Sequence, residues 1–218
     1  MRRRDLVSVA CGILLTAAAL LAQSKNADDL AAGKLLVVPR AAPDPAFAET
    51  VILLVRYEPN GALGLILNRP TEVPVARALR DLKGSAKNPD SLYLGGPVDV
   101  ASVMALLRAT APPPNGLRIF GDVFMLNTKK DLEGALNSPK TAGNLRVYVG
   151  YCGWTAGQQR NEVKLGGWYI FDRSEEEVFD AKPETLWSRL IARTELRMAR
   201  DVGRPILAAA ALSGGRIR

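Results

Sequence analysis

The stretch TVILLVRYEPNGALGLIL, residues 50–67, predicts a buried β-hairpin at the centre of the fold. Its first eight residues form a β-branched, nearly continuous apolar run, which is typical of a strand that is covered on both faces. Pro59 presets the first position of a turn and Gly61 tolerates a positive φ, so we expect the chain to reverse there. Residues 62–67 then form the returning strand.

Shorter strand-like and helix-like segments surround this hairpin. Thr128, with Asp131 three residues later, is typical of a capping box that opens a helix. The local pattern of residues 100–109 suits a helix after Asp99. Further strands are predicted at residues 92–94, 119–126, 145–151 and 168–171, and helices at residues 75–82, 128–136, 155–164 and 183–202. Because strands mostly meet strands through short turns, the pattern indicates an α+β protein with an antiparallel or mixed sheet.

The net charge of +7 is concentrated at the two ends of the 218-residue chain. Residues 1–22 contribute +2 and residues 189–218 contribute +5, whereas the 19 basic and 19 acidic residues between them cancel. A protein that binds DNA through its phosphates needs cations clustered on one surface. We therefore expect no specific DNA binding by the folded part, which the length limits to one domain with tails.

The first 22 residues resemble an export leader. Arg2, Arg3 and Arg4 precede an uncharged, mostly apolar run, Val7 to Ala22. As a helix this run would span roughly 24 Å, short of a bilayer core of about 30 Å. We expect cleavage near Ala22 and a periplasmic or membrane-associated protein; a permanent anchor and a buried N-terminal helix are the alternatives. The predicted organisation is a leader over 1–22, a domain over 30–202 and a flexible tail over 203–218.

The types of reactive side chain limit the chemistry that this chain can perform. It contains no histidine, which removes Ser-His and Cys-His nucleophile activation and histidine metal ligation. After leader cleavage Cys152 is the one remaining cysteine, and we expect an inert buried thiol. We therefore expect no catalytic nucleophile, no metal site and no cofactor.

Two strand exits carry candidate binding residues. Asn68 and Arg69 leave the second hairpin strand and could present an amide and a guanidinium to an anion or a partner carboxylate. The alternative is that Asn68 ties down the turn and Arg69 forms a surface ion pair. Gly95 and Gly96 could expose backbone N–H groups to an anion, or could form a tight bend where two backbone segments approach.

Residues 153–158 (GWTAGQ) join a predicted strand to a predicted helix and form a third candidate. Free N–H groups at a helix start attract anions, and Trp154 could stack on a ligand or anchor a partner. The alternative is that Trp154 is a core residue and Gln158 caps the helix together with Thr155.

The last predicted helix carries a concentrated group of basic residues on one face. The spacing of four, four, three and four residues places the five side chains within roughly one quadrant of the helix. We define this basic face by Arg189, Arg193, Arg197, Arg200 and Arg204. It could bind anionic lipid headgroups or an acidic partner; the alternative is a solvated face of a packed helix.

Four segments in this order resemble the YqgE/AlgH family of small bacterial proteins. They are AAPDPAFAETVILLV (Ala41 to Val55), GALGLILNRP (Gly61 to Pro70), LGGPV (Leu94 to Val98) and GYCGWTAGQ (Gly150 to Gln158). The resemblance implies a bifurcated sheet that forms a pseudo-barrel with helices outside, and a strand instead of a helix over residues 100–109. It also implies the usual label of transcriptional regulator, although the family's biochemical activity is unsettled.

Three positions of this chain depart from the pattern that the resemblance implies. Arg160 stands where the family has a glutamate, while Glu162 and Trp168 match. The histidine that often follows LGGPV is absent, and Cys152 replaces a small residue. Any family role for an acidic group at position 160 or for that histidine does not transfer to this chain.

The function that we predict is binding at the cell envelope without catalysis. The partner would be an unidentified protein, a small anionic ligand, or an anionic membrane surface contacted through the last helix. The first alternative is a transcriptional regulator, and export argues against it because export removes the protein from DNA. The second alternative is a hydrolase that uses two carboxylates. The sequence does not determine the oligomeric state.

Overall fold

The apolar runs of the sequence assemble into one curled sheet of eleven strands with helices packed outside it. The computed structural model describes residues 23–24, 26–42 and 44–202. The strands are β1 (Gln23–Ser24), β2 (Leu35–Val37), β3 (Val51–Glu58), β4 (Gly61–Ile66), β5 (Pro70–Pro74), β6 (Ser91–Leu94), β7 (Val98–Arg108), β8 (Leu117–Phe120), β9 (Val123–Leu126), β10 (Leu145–Thr155) and β11 (Tyr169–Phe171). The α-helices are α1 (Val75–Ala78), α2 (Lys129–Asn137), α3 (Gln158–Lys164), α4 (Glu175–Val178) and α5 (Leu186–Val202).

Strands β3 and β4 form the predicted hairpin. Glu58 pairs with Gly61 across the turn, and Tyr57 pairs with Ala62. The first five residues of β3 are buried, as expected for a strand in the middle of the sheet. One half of the sheet is built on this hairpin, and its strand order is β1-β11-β2-β3-β4.

Strand β10 belongs to both halves of the sheet. Its first part pairs antiparallel with β7, from Leu145 opposite Leu107 to Tyr151 opposite Val98. Its last four residues, 152–155, pair antiparallel with β4, while residues 148–149 also pair parallel with β6. The sheet therefore forks at β10 and curls into a half-barrel, so the predicted α+β fold with a mixed, bifurcated sheet is confirmed.

Several predicted elements differ from the observed ones, and helix α1 ends at Ala78 instead of residue 82. Residues 119–126 form two antiparallel strands, β8 and β9, because Gly121 takes a φ of 45° and reverses the chain. Of the ambiguous segment 100–109, residues 100–108 lie in strand β7, as the family resemblance implied and against the local helical pattern. Helix α3 begins at Gln158 and not at Thr155, because Thr155 still pairs with Gly61 in the ladder.

Two apolar cores lie on opposite faces of the sheet. The larger one fills the half-barrel and includes Trp154, Trp168 and residues of α5 such as Leu190. The smaller one lies beneath α2 and includes Leu107 and Leu136. Thr128 caps α2 by accepting a hydrogen bond from the backbone N–H of Asp131, as predicted. Among the residues that the structure describes, no helix has the length and apolarity needed to span a bilayer.

Candidate functional site

The motif segments meet at the fork of the sheet. The N–H of Leu94 donates to the carbonyl of Arg69, and the N–H of Gly95 donates to the carbonyl of Val149, each over 2.9 Å. The carbonyl of Gly95 accepts from the N–H of Ile66, also over 2.9 Å. Backbone hydrogen bonds thus join the segments that follow β4, β6 and the first half of β10.

Gly95 and Gly96 form a tight bend against β10. A Cβ atom on Gly95 would lie 2.4 Å from the carbonyl oxygen of Gly150, and one on Gly96 would lie 2.2 Å from the backbone carbon of Tyr151. The Sγ of Cys152 donates to the carbonyl of Gly95 over 3.5 Å. Burial raises the pKa of the Cys152 thiol to about 12, against the opposing effect of the Arg69 charge. Gly95 and Gly96 therefore form the tight bend between two backbone segments that was the alternative to an anion site. The raised pKa keeps the Cys152 thiol protonated at neutral pH.

Asn68 and Arg69 hold the loop that precedes β3. The Asn68 Oδ1 accepts from the N–H of Val51 and its Nδ2 donates to the carbonyl of Glu49, each over 2.8 Å. Arg69 Nη2 donates to the carbonyl of Ala48 over 3.2 Å. Both polar groups of the Asn68 amide are thereby used, and Glu49 is held at a φ of 55°. Asn68 thus holds the loop in place, close to the alternative given above, while Arg69 contacts a backbone carbonyl where that alternative had a surface ion pair.

Trp154 and Gln158 belong to one hydrogen-bond network centred on Glu162. The indole N–H groups of Trp154 and Trp168 both donate to Glu162 Oε2, each over 2.9 Å. Gln158 Nε2 donates to Glu162 Oε1 over 3.0 Å, and Gln158 Oε1 accepts from the N–H of Thr155 over 3.1 Å. The two indole rings pack edge to face, 6.3 Å apart. The network holds α3 against the sheet. Trp154 is buried, so it is a core residue, which was the alternative to a ligand-stacking role.

A small cleft lies between the β3–β4 turn and the first turn of α3, and we call it the hairpin cleft. It has a volume of about 300 Å³. Its lining residues are Tyr57, Glu58, Pro59, Gly61, Ala62, Thr155, Gly157, Gln159 and Arg160. Arg160 pairs with Asp28 and also donates to the carbonyl of Ala27 over 3.2 Å. Sequence reasoning missed Gln159, which is 2% exposed and whose two amide atoms have no hydrogen-bond partner.

A larger cleft lies beside helix α2, and we call it the α2 cleft. It has a volume of about 720 Å³ and is formed by the end of β7, residues 109–114, α2 and residues 138–144. Leu107, Leu126 and Ala135 contribute apolar walls, and Lys130 and Lys140 contribute charge. Pro113 and Pro114 line one rim of this cleft, and Asn115 beside them donates to Asp131 of α2 over 3.0 Å, a contact that no local sequence pattern reveals.

Comparison with known proteins identifies the relatives of this chain. A model of the AlgH-like family matches residues 35–199, most of the chain. The chain belongs to the AlgH-like family. Its resemblance to the YqgE/AlgH family, which rested on four motif segments, is thereby confirmed.

Two relatives and two solved structures illustrate the similarity. UPF0301 protein ML0028 of Mycobacterium leprae is 34% identical over 180 residues, covering 80% of this chain and 88% of that protein. UPF0301 protein CT0663 of Chlorobaculum tepidum is 34% identical over 160 residues, covering 73% and 84%. The solution structure of AlgH from Pseudomonas aeruginosa matches with a TM-score of 0.62 at 27% identity, covering 79% and 93%. The crystal structure of DIP2367 from Corynebacterium diphtheriae, with a TM-score of 0.64 at 23% identity over 76% and 87%, shows the shared fold alone.

The basic face of α5 is partly neutralised in this AlgH-like protein. Arg189 pairs with Asp180, and Arg193 Nη1 lies 2.9 Å from Glu177 Oε1. Arg189 and Arg193 remain exposed, with 44% and 51% of their side-chain surface accessible, and each is paired because α4 and the segment after it place carboxylates beside them. Of the other three, Arg197 and Arg200 continue the face along the helix, whereas Arg204 lies outside the described residues, as do the predicted leader (1–22) and tail (203–218).

Replacing Arg193 with glutamine is expected to destabilise the AlgH-like domain in a pH-dependent manner. Burial raises the pKa of Glu177, and the Arg193 charge opposes that rise. Without Arg193 the pKa rises further, so the folded state retains a proton that the unfolded state releases above the ordinary value of 4.5. The free energy of unfolding of the variant therefore falls as the pH rises from 4.5 to the raised pKa of Glu177. We expect a loss of about 1–2 kcal/mol at pH 7 and a smaller loss near pH 4, measured by urea denaturation at both pH values.

Arg200→Gln is the matched control for this variant, because Arg200 is exposed on the same helix. Its unfolding free energy should stay within about 0.5 kcal/mol of the parent at both pH values. An equal loss for Arg193→Gln at pH 4 and pH 7 would show that Glu177 does not titrate against Arg193.

A second group of buried polar atoms lies beneath α4 and the residues after it. Arg146 is 9% exposed, and its guanidinium lies 5.1 Å from the ring centroid of Tyr93 and donates to the carbonyl of Asp180. Its Nη1 and the neighbouring Tyr148 hydroxyl have no hydrogen-bond partner. Burial raises the pKa of Tyr148, so its phenol stays protonated. Across the described ranges, no three His, Cys, Asp or Glu side chains are grouped as metal ligands would be.

Proposed function

We propose that this AlgH-like protein is a non-enzymatic binding protein of the cell envelope, with its ligand in the α2 cleft. The single observation that supports the proposal is the volume of that cleft, about 720 Å³. Clefts of roughly 300–1,000 Å³ with apolar walls and a few polar groups are typical of small-molecule sites. The cleft also lies on the face of the sheet opposite the half-barrel core, so a ligand can enter without opening that core.

The charges around the α2 cleft favour a ligand with an apolar body and an anionic group. The Asp131 carboxylate accepts from Asn115 and Thr128, and Asp122 lies 3.9 Å from Arg118, so both acids already have partners. Within the described part of the chain, Lys130 and Lys140 have no carboxylate within 4.0 Å. These exposed ammonium groups flank the apolar walls and would attract a carboxylate or phosphate group.

Location at the envelope rests on the leader-like first 22 residues. We expect the protein to be recovered from the periplasmic or membrane fraction of its cells with a new N-terminus near Gln23. N-terminal sequencing of the fractionated protein provides the measurement. An intact Met1 on protein from the cytoplasmic fraction would contradict this part of the proposal.

Decanoate is the probe that we choose for the α2 cleft, with decanol as its uncharged counterpart. We expect decanoate to bind and the Lys130→Gln/Lys140→Gln double variant to bind it about tenfold more weakly, since two screened ion pairs contribute about 1–1.5 kcal/mol. Decanol should bind the parent and the double variant equally. Isothermal titration calorimetry at one fixed salt concentration measures all four combinations.

Two further variants test whether decanoate binds in the α2 cleft or elsewhere on the surface. Gly134→Trp fills the cleft from α2, where a Cβ meets nothing within 4 Å, and should abolish decanoate binding without unfolding the domain. Lys164→Gln on α3 removes an exposed lysine elsewhere and should change nothing. Decanoate binding that survives Gly134→Trp would place the ligand outside this cleft.

A further inference from the structure

The loop along one rim of the α2 cleft makes few hydrogen bonds to the rest of the fold. We call its residues 110–115, which include Pro112, Pro113 and Pro114, the proline strap. Proline has no backbone N–H, so half of the strap cannot donate. Among the residues that the structure describes, the backbone hydrogen bond of the strap is local, from the N–H of Gly116 to the carbonyl of Pro113 over 3.1 Å. The backbone itself therefore does not fix the strap on the domain.

One side-chain hydrogen bond ties the proline strap to helix α2. Asn115 Nδ2 donates to Asp131 Oδ1 over 3.0 Å. Asp131 is 8% exposed, and its other oxygen accepts from the hydroxyl of Thr128, the residue that caps the helix. The acceptor is therefore held rigidly in the first turn of α2. The position of the strap relative to α2 depends on the Asn115 bond.

The proline strap also covers part of the apolar wall of the α2 cleft. A Cβ on Gly116 would lie 2.2 Å from Pro113 Cγ and 3.3 Å from Leu126 Cδ2, so this end of the strap lies directly beside Leu126. Leu126 is 1% exposed and is one of the apolar walls of the cleft. Three consecutive prolines restrict the backbone, so the strap moves as one stiff piece when its bond to α2 is broken.

We infer that the proline strap is a gate of the α2 cleft and that the bond between Asn115 and Asp131 is its latch. The inference rests on the proposed function only in that the gate controls access to the ligand site proposed there. With the latch open, a ligand exchanges beneath the strap; with the latch closed, the strap shields the apolar wall from solvent. Because the latch stabilises the closed strap with and without ligand, it controls the rates of binding and release and leaves the affinity nearly unchanged.

A thiol beneath the strap reports opening without any ligand. Leu126→Cys is made in the full chain, and labelling by N-ethylmaleimide is followed by peptide mass spectrometry. Adding Asn115→Ala should speed labelling of the introduced thiol about tenfold, because a hydrogen bond to a carboxylate no longer holds the strap closed. Asn137→Ala is the matched control, since its amide ties the same helix to the carbonyl of Lys83 over 3.2 Å, and it should leave the rate unchanged. Cys152, which is 1% exposed in the other core, should stay unlabelled and so exclude global unfolding.

Decanoate exchange tests the same gate with a ligand. In Asn115→Ala the association and dissociation rates, measured from NMR line shapes, should both rise about tenfold while Kd changes by less than about twofold. Ala135→Cys, one turn along α2 from Asp131 and on the same face, replaces Leu126→Cys if that protein does not fold.

Three results would overturn the inference: an unchanged labelling rate in Asn115→Ala, an equal acceleration in Asn137→Ala, or labelling of Cys152 as fast as that of the introduced thiol. Faster labelling in a protein that does not bind decanoate would support the gate and reject the ligand of the proposed function. Decanoate binding with unchanged labelling and exchange rates would support that ligand and reject the gate.

Discussion

Gly96→Ala is expected to prevent stable folding. A Cβ at this position would lie 2.2 Å from the backbone carbon of Tyr151 and 2.5 Å from the backbone nitrogen of Cys152. Both atoms belong to β10, which is paired on both sides of this point and cannot move away without losing ladder hydrogen bonds. We expect a loss of more than about 4 kcal/mol, a large part of the roughly 5–15 kcal/mol that stabilises a domain.

Soluble yield, far-ultraviolet circular dichroism and urea denaturation of the variant provide the measurement. Gly134→Ala is the control glycine substitution, because a Cβ there meets nothing within 4 Å and the residue lies in helix α2. It should increase stability by about 0.5–1 kcal/mol. A Gly96→Ala protein with the parent's denaturation midpoint would show that the bend between β6 and β7 can move away from β10.

Glu162→Ala is expected to produce the second-largest loss of stability. The variant leaves the indole N–H groups of the buried Trp154 and Trp168 without their acceptor and frees Gln158. Hydrogen bonds to a charged group contribute about 1.5–3 kcal/mol each, so we expect a loss of about 3–5 kcal/mol. For a domain of this size each kcal/mol lowers the thermal midpoint by about 2–4 °C.

Calorimetry and tryptophan fluorescence report this effect. Because water replaces the carboxylate beside two of the three tryptophans, the emission of the native variant should shift to longer wavelength. Glu162→Gln keeps one oxygen that can accept from both indoles, and it should lose about 1 kcal/mol. An alanine variant with the parent's midpoint would show that solvent replaces the acceptor at no cost.

Local sequence patterns predicted those parts of the fold that local interactions determine. The β3–β4 hairpin follows from an apolar run and a turn that contains Pro59, and the Thr128 cap follows from its own spacing to Asp131. The local pattern of residues 100–109 suits a helix, but residues 98–108 form a strand, because pairing with β9 and β10 outweighs the local preference. The predicted single strand over 119–126 overlooked Gly121, whose positive φ permits the reversal between β8 and β9.

The candidate site is built from contacts between residues that lie far apart in sequence. Motif residues such as Asn68 and Gly95 were identified correctly as special, but their hydrogen bonds join segments from different strands. Gln159 carried no sequence signal, since a glutamine in a polar helix is ordinary until its burial is known. The pairing of Arg193 with Glu177 likewise joins two helices whose packing no spacing rule within α5 predicts.

Because β10 pairs with β4, β6 and β7, the order in which the chain is synthesised matters. Residues 145–155 follow all three of these partners in the sequence, so neither half of the sheet can close until they have left the ribosome. Until then the nascent chain exposes the open edges of β4 and β7, the kind of edges that promote aggregation. The closing strand of this sheet therefore arrives late, and the two open edges stay exposed for as long as the synthesis of residues 109–155 takes.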